Sequence, residues 1–544
     1  MSLALGIGAA ATIFSLTDAL LFEPTVGVRN ASEVVDIGRA NQGSGFDNMS
    51  HPMYGYLREH SRTLDIAAVD FGGRPMSLGT DGTSERVIGT MVSANYFDVL
   101  GTTAVLGRFF RADEDQVPGE RAVVVLSHAL WTQRFNSDPN ILDTPIRLNN
   151  REFSVVGVAE PGFQGSSMVG TDLWTPMAMF QVARGAADAS ILTEPRAVWH
   201  IALGRLKPGV PIEQARAELN TLMEAYKRAE PRAQQHHTVA VVPMGRIPGP
   251  VRTPFLAFIG FLFALTGALL AIACSNVAGM LLARAATRRR EMATRLAVGA
   301  GRNRLLGQLL TETMALFAVA AAASVPLTIW LVALLEGSLP ALPLTLNLDF
   351  GVNVRVLAFA FGLALVTGIV FGLAPARHAL SADLAPMLHG ANATADRKRF
   401  RLRNSLVSAQ VALSLMLVVT ALLFLRSLDK AAQTDPGFAT KNIQIASVDV
   451  SLAGYREQQA VALASRLAER LQTINGVESV AHARMIPLQG SGFGLGSVRV
   501  PGVESGGRDD GRFDADWDIV SPGYFDTINM RIVDGRAFRA SDRE

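Results

Sequence analysis

Few residue groupings in this chain could do chemistry, and each has a plainer reading. Gly490–Gly496 (GSGFGLG) has only a superficial likeness to a dinucleotide-binding turn. It lacks the strand-to-helix setting and second-strand acid that such a turn needs, so a flexible loop is expected. His236 and His237 could touch a metal, but adjacent imidazoles project apart and no carboxylate or cysteine cluster accompanies them. Asp514, Asp516 and Asp518 alternate as calcium ligands would. The glycine and closing glutamate of an EF-hand loop are missing, so a solvated strand is expected. No GxxxxGK[ST] phosphate loop occurs, nor any Gly-Lys pair. No Ser/His/Asp or Cys/His pairing is discernible, and the one cysteine, Cys274, lies inside an apolar stretch. No catalytic, metal-binding or cofactor-binding set is therefore expected, and no intrachain disulfide is possible.

Two polar features remain. Ser275 and Asn276 interrupt an otherwise apolar run, where a polar group serves either a transport path or an interhelical hydrogen bond; the bond is the simpler expectation. The most patterned charged segment is Thr287–Thr313, TRRREMATRLAVGAGRNRLLGQLLTET. Its spacing predicts a short helix over Arg288–Val298, with Met292, Leu296 and Ala297 on one face and the arginines elsewhere. Gly299-Ala300-Gly301 should end it. Such a helix either lies on the inner membrane surface or docks a cytoplasmic partner.

The elements that must position this segment are membrane helices. Residues 253–283 contain no acidic or basic side chain, and neither do Thr313–Leu335, Val356–Ala376 and Asn404–Leu425. About 20 apolar residues cross a bilayer core as a helix, which satisfies every backbone amide internally. Ser2–Leu16 is apolar but has no basic n-region, and is expected to be the trailing part of a further spanning helix. Of the 544 residues, 49% are hydrophobic and 18% charged, against roughly 25% charged in a soluble chain. A net charge of +2 gives no electrostatic basis for nucleic-acid binding.

Charge sets the expected topology. Seven arginines fall in Arg284–Arg304, and Arg397, Lys398, Arg399 and Arg401 follow in the linker 377–403, whereas Glu336–Asn353 carries neither Lys nor Arg. The positive-inside rule puts both basic stretches in the cytoplasm. Residues 23–252, and everything after Leu428, then lie outside. The spans 253–283, 313–335, 356–376 and 404–425 hold no charge of their own, which argues against ion coupling.

Residues 23–252 read as an α+β domain. Short β-rich runs at Glu33–Arg39, Ile66–Phe71, Ala122–Leu126, Phe153–Val158 and Val239–Val242 are separated by turn clusters such as Asp81-Gly82 and Pro161-Gly162. Amphipathic helices are expected at His51–Glu59 and Pro211–Lys227. The C-terminal region repeats part of this domain. Val92–Ala112 (VSANYFDVLGTTAVLGRFFRA) aligns without a gap to Val520–Ala540 (VSPGYFDTINMRIVDGRAFRA). An apolar helix precedes each copy, so the duplicated unit is a membrane helix followed by an external domain.

At Thr287–Thr313 the sequence resembles the MacB/FtsX-like permease subunits of ABC transporters, through Arg290-Glu291, Arg295, Ala297-Val298-Gly299-Ala300, Gln308 and Glu312. Two other blocks are similar to the same family. One is Val124–Phe163, with Leu126-Ser127, Trp131, Phe135, Asp138-Pro139, Val156-Gly157-Val158 and Gly162-Phe163; the other is Arg205-Leu206-Lys207-Pro208-Gly209 before Gln214-Ala215. The repeat order resembles the duplicated orphan permeases of that family. A full member would have eight membrane helices and five are counted. The start of the first and the last three of the second unit are expected to be missing.

The resemblance implies an α-helical membrane protein with α+β extracytoplasmic domains, internally duplicated. Its expected parts are a partial first membrane helix at 1–22 and a MacB-like periplasmic core domain at 23–252. An FtsX-like permease domain follows at 253–376, with helices at 253–283, 305–335 and 355–376 and a coupling turn at 284–304. A basic linker at 377–403, a membrane helix at 404–428 and an incomplete second periplasmic domain at 429–544 complete it. The turn, with Arg290, Glu291, Arg295, Gly299 and Ala300, is implied to meet a separate ATPase that drives efflux or mechanotransmission. The implied setting is the bacterial inner membrane. A periplasmic or outer-membrane partner is implied, as is dimer or pseudo-dimer formation through the duplicated half. Two other classes stay open: a membrane-anchored periplasmic scaffold or sensor without ATP-driven transport, and an enzyme working outside the membrane.

Overall fold

A computed structural model describes the chain apart from residues 23–25, 42, 71–72, 81–82, 168, 184–188, 233–236, 246, 248, 288–290, 292–293, 296–297, 299–300, 339–350, 381–392, 449–454, 456, 486, 488–492, 500–511, 540 and 543–544. It divides into two units, Met1–Phe424 and Leu425–Glu544.

The first unit opens with α1 (Ser2–Thr17), which runs on as a π-helical turn at Asp18–Phe22. The α+β domain follows with β1 (Val34–Asn41), β2 (Ser44–Asp47), β3 (Met49–Ser50), α2 (His51–His60), β4 (Leu64–Val69), β5 (Arg74–Thr80) and β6 (Thr83–Val92). Next come α3 (Tyr96–Leu100), β7 (Ala104–Gly107), β8 (Val123–Leu126), α4 (His128–Phe135), β9 (Pro145–Leu148), β10 (Arg151–Ala159) and β11 (Leu173–Pro176). The domain ends with α5 (Phe180–Ala183), β12 (Val198–Leu206), α6 (Ile212–Ala229) and β13 (His237–Pro243).

β11, β8, β10, β9, β5 and β6 pair in that order, and β6 pairs back onto β11. This closed ring leaves its six strands no open edge among themselves. From β6 the sheet continues through β4, β12, β1 and β13. Here α6 lays Ala215, Leu219, Met223 and Tyr226 into the core, at the three- and four-residue spacing of one helix face. Its Glu218 accepts hydrogen bonds from the backbone of Arg62 (2.8 Å) and Thr63 (3.0 Å), tying the helix to the entry of β4.

The rest of the first unit is helical: α7 (Gly249–Thr287), α8 (Arg302–Ser338), α9 (Val354–Leu380) and α10 (Ala393–Gln433), the last running on into the second unit. The linker 377–403 is thus helical at both described ends, in line with the helix propensity of its Ala, Arg and Lys residues. By length and composition, five helices among the described residues could cross a membrane. They are not equivalent. In α1, 67% of the apolar window is buried, whereas in α10 none of it is.

The reason lies in two glycines of α1. A β-carbon at Gly6 would stand 3.1 Å from the Cα of Leu270 on α7, and one at Gly8 would stand 2.9 Å from Leu327 on α8. Small residues permit backbone approach where no hydrophobic drive separates helix from lipid. Leu3, Ile7 and Ala11 then pack with Leu270 and Cys274 of α7, Phe317 and Ala321 of α8, and Val356, Ala360 and Ala364 of α9. Cys274 is a buried packing residue. Ser275 Oγ donates to the Leu406 carbonyl of α10 at 3.3 Å, the interhelical bond expected for it.

The second unit contains α11 (Glu457–Gln472), β14 (Phe493–Arg499) paired with β15 (Arg512–Trp517), and α12 (Tyr524–Thr527). Part of the glycine-rich run expected as a loop is therefore strand: its residues from Phe493 onward pair with β15, and Gly490–Gly492 lie outside the described residues. The alternation that suggested calcium ligands reflects strand geometry, with Asp514 and Asp516 in β15. Of the histidine pair, His237 belongs to β13 and His236 lies outside the described residues, as does the turn pair Asp81-Gly82.

The repeat extends from sequence into hydrogen bonding. Ser93 exchanges two bonds with the Ala68 backbone (3.0 Å and 2.9 Å), and Ser521 exchanges the same two with His482 (both 2.9 Å). Arg108 forks onto Glu114 at 2.6 Å and 2.9 Å, with the Arg111 amide capping the same carboxylate at 2.8 Å. Arg536 forks onto Asp542 at 2.5 Å and 3.1 Å, with the Arg539 amide at 2.9 Å. Tyr96 and Phe97 meet edge-on at 5.2 Å, and Tyr524 and Phe525 at 5.6 Å. Exposure differs between the copies: Phe110 is 7% exposed and its counterpart Phe538 is 55% exposed.

Two predictions follow from this packing. Gly6→Leu should separate α1 from α7 and lower the detergent-solubilised melting point, overpacking costing about 1–3 kcal/mol. Gly260→Leu, on α7 where a β-carbon meets nothing within 4 Å, should leave it unchanged. The second concerns His51 and His200, whose rings lie 5.6 Å apart. His51 Nδ1 and His200 Nε2 are buried without a hydrogen-bond partner among the described residues. Burial pushes the two pKa values down to about 4 and about 3 respectively. The unfolded chain therefore binds more protons below the ordinary histidine value, and stability must fall as pH drops from about 6.5 toward 4. Melting curves at pH 7 and pH 4.5 should show a larger acid loss for the native chain than for His51→Phe/His200→Phe.

Candidate functional site

The turn between α7 and α8 is where charge concentrates beside the helices. α7 ends at Thr287, and Arg302–Ser338 begins as a new helix after the Arg304 and Leu305 amides bond to the Gly301 carbonyl at 3.1 Å and 3.3 Å. Between them Glu291, Thr294 and Arg295 are helical. Arg295 Nη2 meets Glu291 Oε1 at 2.6 Å, one helical turn apart. Its Nη1 donates to Gln308 Oε1 of α8 at 3.3 Å. One guanidinium thus braces the turn internally and against the next membrane helix.

The pair is solvent-facing, with side-chain exposures of 43% for Arg295 and 50% for Glu291. An exposed pair of this spacing contributes only about 0.3–0.5 kcal/mol, so its geometry shapes a surface rather than stabilising the fold. Val298 stands 85% exposed beside it. Of the residues marked out by sequence, the structure brings Glu291, Arg295 and Gln308 together. Arg290, Gly299 and Ala300 lie outside the described residues.

A groove of about 390 Å³ in the α+β domain, lined by Arg58, Asp65, Asp98 and Arg205 among others, is a weaker candidate. Arg205 is already engaged there, donating to Glu33 at 3.0 Å and to the Val99 and Arg29 carbonyls at 2.7 Å each.

Sequence reasoning passed over one charged residue in the membrane bundle. Asp18, at the end of α1, is 1% exposed and bonded to Asn353 and Arg355 at the start of α9. Only its position, an acid closing an apolar run, could have signalled it.

With this geometry in place, comparison with known proteins is informative. The family model of the MacB-like periplasmic core domain matches residues 1–222, and that of the FtsX-like permease C-terminal matches residues 255–384. The chain is a MacB/FtsX-like permease of the ABC class. The permease is 27% identical over 296 residues to the macrolide export ATP-binding/permease protein MacB of Salmonella paratyphi A (strain ATCC 9150 / SARB42), covering 54% of this chain and 42% of that one. It is 26% identical over 297 residues to the protein of the same name from Escherichia coli (strain K12), with the same coverage. It thus spans less than half the length of these relatives. Among solved structures it is similar to a domain of a putative permease protein from Porphyromonas gingivalis (18% identity, TM-score 0.31, covering 42% of this chain and 98% of that one). The periplasmic region of MacB from Actinobacillus actinomycetemcomitans is also similar (17%, TM-score 0.29, 40% and 92%). The permease is an inner-membrane protein with a periplasmic-type α+β domain.

Proposed function

We propose that this permease couples a separate cytoplasmic ATPase to movement of its periplasmic domains, for efflux or mechanotransmission. The chain itself then hydrolyses no nucleotide. The observation that carries this is the braced turn. The Glu291–Arg295–Gln308 contact links the helical residues of the turn to α8, which supports a push on the turn being passed to a membrane helix. Glu291 and Arg295 are the residues proposed to face the ATPase, and Arg290, Gly299 and Ala300, outside the described residues, are proposed to belong to the same coupling set.

The arginine distribution supports the orientation. In this reading Arg284–Arg304 and 377–403 are cytoplasmic, and residues 23–252 and 429–544 are periplasmic. The repeated hydrogen-bond network supports a duplicated permease whose halves act as a pseudo-dimer, with a periplasmic or outer-membrane partner beyond.

Topology has a direct check. With Cys274 replaced by Ala, a cysteine at Gly337 should label from outside in intact spheroplasts and one at Gly301 should not; the reverse pattern contradicts the orientation. For coupling, ATP hydrolysis that co-purifies with the tagged chain from its native membranes should fall severalfold in Glu291→Lys/Arg295→Glu, while membrane insertion persists. Unchanged hydrolysis would leave the turn as a topology signal. A helix that merely lies on the lipid would tolerate or favour Glu291→Lys, since added positive charge attracts anionic lipid.

A further inference from the structure

Asp18 stands alone: 253–283, 313–335, 356–376 and 404–425 hold no acidic or basic residue. A proton relay needs a succession of titratable groups, and none lies along these spans. What Asp18 does have is a built partner site. Asn353 Nδ2 donates to its Oδ2 at 2.6 Å, and Arg355 Nη1 meets its Oδ1 at 3.4 Å. Asn353 works from both ends of its amide. Its Oδ1 accepts from the Arg355 and Val356 backbone amides, both at 3.0 Å, and so caps the N-terminus of α9. The Asp18 carboxylate therefore sits at the positive end of that helix, beside a guanidinium. One turn deeper, Phe14 of α1 and Phe359 of α9 stack at 4.2 Å and 2°. Asp18 also opens the π-helical turn Asp18–Phe22, a rare conformation that frequently occurs at functional sites, through which α1 leads toward the α+β domain.

We propose that Asp18, Asn353 and Arg355 form a latch that makes the domain-side end of α1 move with α9. Displacement of the third helix of the permease segment is thereby handed to the α+β domain. These are positioning residues. The latch's use rests on the mechanotransmission reading above; its existence does not.

The test is crosslinking in native membranes without nucleotide, so that its outcome is independent of any ATPase. In a Cys274→Ala background, Phe14→Cys/Phe359→Cys is treated with a short bifunctional methanethiosulfonate. The parent pair should crosslink efficiently, and Asp18→Asn should reduce the yield at least threefold. Arg355→Gln should reduce it less, because Asn353 and the helix end remain. The decisive variant is Asn353→Asp. It keeps a capping oxygen for α9 but sets a second carboxylate against Asp18. A latch predicts a loss as large as in Asp18→Asn, whereas a mere helix cap predicts none. Asp18→Asn/Asn353→Asp restores a donor and an acceptor in exchanged positions and should recover the yield, which also excludes misfolding as the cause of the single-variant losses. Parent-level yield in either Asp18→Asn or Asn353→Asp, or no recovery in the double variant, would overturn the latch. A latch that passes this test in a chain whose domain does not respond to ATP would overturn only the mechanotransmission reading.

Discussion

How closely α1 can approach its neighbours governs the first unit. Gly6 and Gly8 bring its backbone against α7 and α8, and the Thr328 hydroxyl reaches the Gly8 carbonyl at 3.4 Å across the gap. In lipid, packing of this kind replaces the hydrophobic drive that assembles soluble helices. With α1 as the hub, α7, α8 and α9 share one core. α10, the counterpart of α1 at the head of the second copy, contains no glycine from Asn404 to Gln433 and presents its long apolar side chains outward.

The same helix connects membrane to domain. Above it the closed strand ring and the sheet it feeds are held by two buried cores, one under α2 and α6 and one around Phe97, Phe163 and Trp174. A domain packed this densely moves as a body rather than deforming. The Arg108–Glu114 fork, repeated as Arg536–Asp542, closes the turn that lies downstream of each Tyr-Phe helix. Its recurrence with a shorter acid shows that the geometry, and not one side chain, is what the two copies share.

Much of this was legible in the sequence because the signals are local. Twenty apolar residues in a row, the four-residue spacing in Ile212–Ala229, and the gapless YF…GR…FRA match each need only a short window. Other features depend on partners far away in the chain. Asp18 gains its meaning from Asn353 and Arg355, 335 and 337 residues on. The β6–β11 pairing that closes the ring joins segments that no periodicity connects. From Phe493 onward the glycine-rich run is strand rather than the expected loop, because its pairing with Arg512–Trp517 outweighs the weak strand preference of glycine. In the turn, Glu291, Arg295 and Gln308 were marked out by the family resemblance, but that Gln308 of the next helix meets Arg295 depends on how the two helices pack.

The central claim is mechanical: motion that starts at the turn reaches the α+β domain through the bundle. Its most direct test is a distance measured by pulsed electron spin resonance between labels at Arg304, beside the turn, and Thr132 on the exposed side of α4, in membranes that retain the cognate ATPase. The account predicts a shifted distance distribution on trapping with ATP and vanadate, and no shift with ADP. Identical distributions in both conditions, with hydrolysis verified in the same sample, would contradict it.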